Sequence, residues 1–239
     1  MEHLVFVHGG GVGPWMWRGQ RAHFEDKYRI HTPVLPGHDP EDRSGYTSHA
    51  EAAQSIAEQI GLAHISGEIT VIGFSLGGQV AIVFADMFPE KVARTAVISS
   101  LVTPWRTARV LSSIAGLAAP LSRLETFARR QARELYIGAD DFDEYFVLTS
   151  RMKRSTLVEM MRANLSFFPP RSFMDDERAA LFVAGSEEQR SLIAGLRHLS
   201  EALPGGRFDQ INGVGHGAPM AKADELNRVL ERWLASTGS

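Results

Sequence analysis

Residues 68–88 read EITVIGFSLGGQVAIVFADMF, with Pro89 next. A β-branched apolar run predicts a strand over 68–73, and the apolar pattern that follows predicts a helix over 76–88, stopped by the proline. The two elements meet through Gly73-Phe74-Ser75-Leu76-Gly77. A serine on so tight a strand-to-helix turn projects its oxygen clear of the backbone. Bulky side chains two positions before or after it would clash, which is why glycine stands at both. The residue after the serine opens the helix, so the Leu76 N–H is free to face a reacting oxygen.

The same alternation extends in both directions. Strands are expected over 3–8, 28–34 and 92–99, and helices over about 15–26 and 48–60. After residue 178 the alternation resumes, with strands over 179–185 and 206–211 and helices over 189–202 and 222–235. This order predicts an α/β fold: a mostly parallel central sheet with helices on both faces. Residues 101–178 break the pattern. They are helical in composition and hold no convincing core strand. The expected organisation is a core formed by 1–100 and 179–239, with 101–178 inserted as a helical cap or lid at the strand ends.

Nine histidines are present. His216 stands apart because it lies in Asn212-Gly213-Val214-Gly215-His216-Gly217, between the last strand and the last helix. Glycine on both sides lets the imidazole hang towards the strand ends. Neutral near pH 7, it suits the role of base for a serine. An acid that orients the imidazole belongs just past the strand LFVAG, where Glu187 and Glu188 stand side by side. The residues themselves leave that choice open. His8-Gly9-Gly10-Gly11 ends the first strand, and the Gly10 N–H is assigned to face the same oxygen as the Leu76 N–H. His8 is read as a structural histidine that orders this loop.

The motifs His8-Gly9-Gly10, Leu35-Pro36-Gly37-His38, Gly73 to Gly78 and Gly213-Val214-Gly215-His216 together resemble the α/β-hydrolase superfamily. The likeness runs from residue 4 to about 235, apart from the insertion. It implies Ser75 as nucleophile, His216 as base, and backbone donors at Gly10 and Leu76. In the family a strand ending Gly-x-x-Asp bears the acid, and Gly185-Ser186-Glu187-Glu188 puts Glu188 at that position, with Glu187 as alternative. As it stands, the sequence starts at the strand bearing His8-Gly9 without the family's two leading strands, like the compact plant-type esterase and hydroxynitrile-lyase branch and some small bacterial hydrolases. The lyases of that branch carry a lysine after the histidine, where this chain has Gly217. Dehalogenases and epoxide hydrolases carry aspartate at the nucleophile, where this chain has Ser75. The expected function is therefore a serine hydrolase acting on a small to medium lipophilic ester through an acyl-enzyme. The same fold also serves C–C bond, lactone or thioester hydrolysis, cofactor-free peroxidation, or a ligand sensor with little turnover.

Aromatic residues expected to line the substrate pocket are Trp17, Phe74, Trp105, Phe146 and Phe167. Arg106, Arg109, Arg123, Arg129, Arg130 and Arg133 are read as a solvated face. The 44% apolar and 22% charged content is that of an ordinary globular chain, and the net charge of −3 points away from nucleic-acid and anionic-membrane partners. The absence of cysteine excludes thiol catalysis and fits a reducing cytoplasm. No targeting segment, and no apolar run near the ~20 residues of a membrane span, is read in the sequence. No phosphate loop, zinc spacing or dinucleotide fingerprint appears, so the expectation is no cofactor, no metal, a small-molecule substrate as partner, and a monomer or homodimer.

Overall fold

The computed structural model describes residues 1–41, 44–105 and 107–236. Among these, six strands form one sheet, β1 (His3–Val7), β2 (Arg29–His31), β3 (Ile69–Phe74), β4 (Val92–Ile98), β5 (Ala179–Gly185) and β6 (Gly206–Ile211). Their order across the sheet is β2-β1-β3-β4-β5-β6, and every neighbouring pair is parallel. A parallel sheet covered on both faces needs strands that are apolar throughout. β3 meets that demand, since all six of its residues are buried.

Alternate residues feed two cores. Val5 and Val7 of β1 join the core under α2 (His49–Gln59), α3 (Leu76–Met87) and α9 (Arg190–Ala202), with Ile56, Val80 and Leu196. Leu4 and Phe6 face the other way, towards α1 (Arg18–Phe24) and α11 (Ala223–Ser236), with Phe24, Leu230 and Trp233. The register aligns the strands' C-terminal ends: Val7 pairs with Gly73, Phe74 with Ile98, and Gly185 with Ile211. The loops that follow these residues therefore open on one edge of the sheet, where ligands bind in open α/β sheets.

The expected elements recur within a few residues, with two departures. β2 spans three residues rather than seven, because Pro33 and Pro36 cannot donate to a ladder on this edge strand. The helix expected over 15–26 divides into a 3-10 turn, Pro14–Trp17, and α1, since Pro14 sets the entry turn.

Between β4 and β5 the chain forms α4 (Ala108–Ala118), α5 (Glu125–Glu134), α6 (Ala139–Arg151), α7 (Arg154–Ser166) and α8 (Arg171–Met174). A buried amide on α3 helps tie this insertion to the core. Gln79 of α3 donates from Nε2 to the carbonyls of Leu101 (2.7 Å) and Asn164 (2.9 Å), and its Oε1 accepts from His49 Nε2 at 2.8 Å. Among the insertion's arginines, Arg129 pairs with Glu125 and lies over the Phe142 ring, while Arg123, Arg130 and Arg133 are exposed. Arg106 and the Arg109 side chain lie outside the described residues.

Candidate active site

β3 ends at Phe74 and α3 begins at Leu76, so Ser75 alone makes the turn, at φ 53° and ψ −119°. Such a conformation costs a non-glycine residue about 1–3 kcal/mol and persists only where the surroundings enforce it. Here they do. The Ser75 N–H donates to the Ile98 carbonyl (2.8 Å), the Gly78 N–H donates to the Ser75 carbonyl (3.0 Å), and the Ser100 hydroxyl donates to that carbonyl at 2.7 Å. The glycines leave room for the turn. A Cβ on Gly73 would lie 2.1 Å from the Gly77 carbonyl oxygen, and one on Gly77 would lie 2.3 Å from that of His8. Gly78 passes close to Ser100, a partner that no local pattern in the sequence signals.

Opposite Ser75, the loop after β6 carries His216. Its Nε2 lies 3.0 Å from Ser75 Oγ, and its Nδ1 lies 3.1 Å from Glu188 Oε2. The Glu188 side chain is 3% exposed and that of His216 is 35% exposed, so the carboxylate is hidden behind the ring while the ring edge faces the cleft. An ionised carboxylate only accepts, so Nδ1 carries the proton and Nε2 is left to accept from the Ser75 hydroxyl. The acid loop and the histidine loop are stitched together. Ser186 N–H donates to the Ile211 carbonyl, Glu187 N–H to the Val214 carbonyl, and Gly213 N–H to Ser186 Oγ. A Cβ on Gly185 would meet the Val214 oxygen at 2.3 Å, so glycine at the end of β5 lets the histidine loop cross it. Glu187 is exposed, and Glu188 is the one turned inward to the ring.

The loop after β1 is set by two buried histidines. His8 accepts the Leu35 N–H on Nε2 (3.0 Å) and donates from Nδ1 to the Gly9 carbonyl. His38 accepts the Gly11 N–H on Nε2 (3.0 Å) and donates from Nδ1 to the Pro36 carbonyl. Burial, which disfavours the charged ring, pushes His8 down to about 3 and His38 down to about 4. The N–H groups of Gly10 and Leu76 have no acceptor among the described residues. The two residues are neighbours, since a Cβ on Gly10 would lie 3.5 Å from Leu76 Cδ2.

A cleft of about 580 Å³ opens on Ser75 and His216, and Trp105 is among the residues that line it. The other four aromatic expectations are corrected. Trp17 is fully buried and packs on the Phe6 ring, as a long apolar side chain next to β1 must. Phe74 is 1% exposed and sits beside the His216 ring, 5.1 Å between centroids, supporting the imidazole rather than meeting a ligand. Phe146 stacks on Phe142 within the insertion's own packing, and Phe167 is buried against His49.

Sequence reasoning missed the link between α5 and α6. Tyr136, at φ 57°, accepts the Gly215 N–H on its hydroxyl (3.3 Å), and Leu135 and Tyr136 wall the cleft. The only local signal is Gly217, where a Cβ would lie 2.3 Å from the Leu135 oxygen. Gly217→Ala is therefore expected to force this link off the histidine loop at about 1–3 kcal/mol, lowering the thermal midpoint by roughly 3–10 °C. An unchanged midpoint in calorimetry would contradict that packing. Among the described residues, no group of three or more His, Asp or Glu side chains is placed to hold a metal ion, and no helix is long and apolar enough to cross a membrane.

A family model described as the alpha/beta hydrolase family matches residues 4–229, and the chain belongs to that family. It is 24% identical over 256 residues to the pimeloyl-[acyl-carrier protein] methyl ester esterase of Aromatoleum aromaticum, a match covering 95% of this chain and 96% of that protein. The like-named protein of Nitrosomonas europaea is 32% identical over 97 residues, covering 41% of this chain and 36% of that one. Among solved structures, a thermophilic esterase from Thermogutta terrifontis superposes with a TM-score of 0.82 at 17% identity, covering 100% of this chain and 91% of that chain. The enol-lactonase from Burkholderia xenovorans gives 0.80 at 15% identity, covering 98% and 91%. At such identities these two likenesses concern the fold.

Proposed function

We propose that this protein is a serine esterase that cleaves small to medium lipophilic esters through an acyl-enzyme. The observation that carries the reading is the continuous hydrogen-bonded chain from Glu188 through His216 to Ser75. Ser75 Oγ attacks the ester carbonyl carbon while His216 Nε2 takes the hydroxyl proton. The negative charge that develops on the carbonyl oxygen is met by the N–H groups of Gly10 and Leu76, and one such donor contributes about 3–4 kcal/mol to a transition state. Collapse breaks the bond to the alcohol oxygen, which receives the proton from His216. Water then attacks the acyl-serine, giving its proton to Nε2, and the second collapse returns that proton to Ser75 Oγ and frees the acid. Glu188 keeps the ring in the productive tautomer and stabilises the imidazolium.

The insertion serves as a cap over this chemistry. Support comes from its residues Trp105, Leu135, Tyr136 and Asn164, which wall the cleft around Ser75. The names of the curated relatives support an ester as the bond cleaved. The cysteine-free composition suits a cytoplasmic location. A fluorophosphonate probe is expected to label one peptide, at Ser75. Stoichiometric labelling at a different side chain would overturn the assignment.

A further inference from the structure

The insertion and the loop after β1 wall a second cavity of about 490 Å³, distinct from the cleft on Ser75, and Glu134 and Leu135 line both. Gly10 lines it at the inner end, where Met160 Sδ would lie 2.8 Å from a Cβ placed on that glycine. Its walls are largely apolar, with Phe127, Met152, Leu157 and Met161 among them. Apart from Glu134, a carboxylate with no side-chain partner among the described residues, the polar side chains here are turned on one another or on backbone. The Tyr145 hydroxyl donates to Gln131 Oε1, the Thr149 hydroxyl to the Tyr145 carbonyl, and the Ser122 hydroxyl to the Thr149 carbonyl. A ligand there finds apolar surface and few free hydrogen-bonding groups. The Ser75 cleft is different, because Asn164, Glu187 and Gln189 line it without a side-chain hydrogen bond among the described residues.

We propose that the cavity beside Gly10 is the acyl chamber of this protein and takes an unbranched medium-chain acyl group, while the alcohol lies in the Ser75 cleft. This rests on the esterase reading of Ser75, and it follows from where the atoms of the reacting ester must go. The alcohol oxygen receives its proton from His216 Nε2, so the alcohol lies on the His216 side, and Gly215 and His216 line the cleft. The carbonyl oxygen points at the Gly10 and Leu76 N–H groups. The acyl carbon then continues past Gly10, into the chamber that Gly10 lines. At roughly 30 Å³ for each group the size of a water molecule, the chamber accommodates a bent chain on the order of ten carbons. The flexible thioethers of Met152, Met160 and Met161 adapt to a linear chain better than a rigid wall would.

The test compares two ester series on the wild-type protein, each with Ser75→Ala as a control. Along p-nitrophenyl esters from acetate to dodecanoate, kcat/KM is expected to rise about fourfold per methylene, the gain from burying one CH2, and to fall once the chamber is full. Along alkyl acetates from methyl to octyl it is expected to stay nearly flat. Leu157→Trp should move the acyl optimum to shorter chains. A flat or falling acyl series, or a steep rise along the alcohol series, would overturn the chamber assignment while leaving Ser75-dependent hydrolysis intact. Hydrolysis that Ser75→Ala leaves near the wild-type rate would instead overturn the esterase reading itself.

Discussion

Ser75→Ala is expected to lower kcat on an activated ester by a factor on the order of 10⁴–10⁶ with KM nearly unchanged. The variant removes only the attacking oxygen. The tight turn stays, because its constraints are the Ile98, Gly78 and Ser100 contacts to the Ser75 backbone, which alanine keeps. The thermal midpoint should thus match wild type. Some acceleration over water survives from the Gly10 and Leu76 donors. Glu188→Gln should cost about 10⁴-fold, since an amide cannot stabilise the imidazolium and can favour the wrong ring tautomer. Glu187→Gln should cost far less, because that exposed side chain lines the cleft without reaching the imidazole. Steady-state kinetics on the three variants decides the matter, and an equal loss at 187 and 188 would refute the assignment of the acid.

Acid should unfold the protein at a pH where ordinary carboxylates are still mostly ionised. Burial holds His8 down to about 3 and His38 and His49 down to about 4, against an ordinary 6.5. The geometry gives the same sign. In each ring one nitrogen accepts a hydrogen bond, from Leu35 N–H, Gly11 N–H and the Tyr46 hydroxyl respectively, and protonation would set two donors against each other. The unfolded chain binds these protons as pH falls through 6.5, and the folded chain refuses them until about 4 or below. The stabilisation is therefore complete above pH 6.5 and drains away beneath it. Three such groups give a slope of about 4 kcal/mol per pH unit, on the order of 10 kcal/mol at most by pH 4, comparable to a whole domain's stability. Urea midpoints measured from pH 7.5 to 4.5 should fall steeply below 6.5, and a flat profile would show that these rings titrate as free histidines.

How much was legible in the sequence depends on the range of the physics involved. β5 comes out at its expected residues because a short apolar run ending in glycine states its own limits, and the largely polar β6 is bracketed by Gly205-Gly206 and Asn212-Gly213. The glycines at 73, 77 and 185 could be understood only in part. Local sterics explain the tight turn, but the neighbours that forbid a Cβ include Val7, His8 and Val214, from distant stretches. The pocket aromatics were poorly legible for the same reason. Phe146 and Phe167 have the composition of pocket walls, and whether such a ring meets ligand or core depends on which element packs across from it.

By itself, then, the sequence determined the alternation of strand and helix, the serine turn with its glycines, the glycine-flanked histidine and the insertion that splits the core. All of these follow from backbone sterics and periodicity within a few residues. The residues alone left Glu187 and Glu188 open and the family likeness pointed to Glu188, but only tertiary structure turns it to the imidazole, has Tyr136 bond the histidine loop, and leaves a second apolar cavity between the insertion and Gly10. Adjacent side chains in a turn point in different directions, and only contacts between segments far apart in the chain select the one that faces inward.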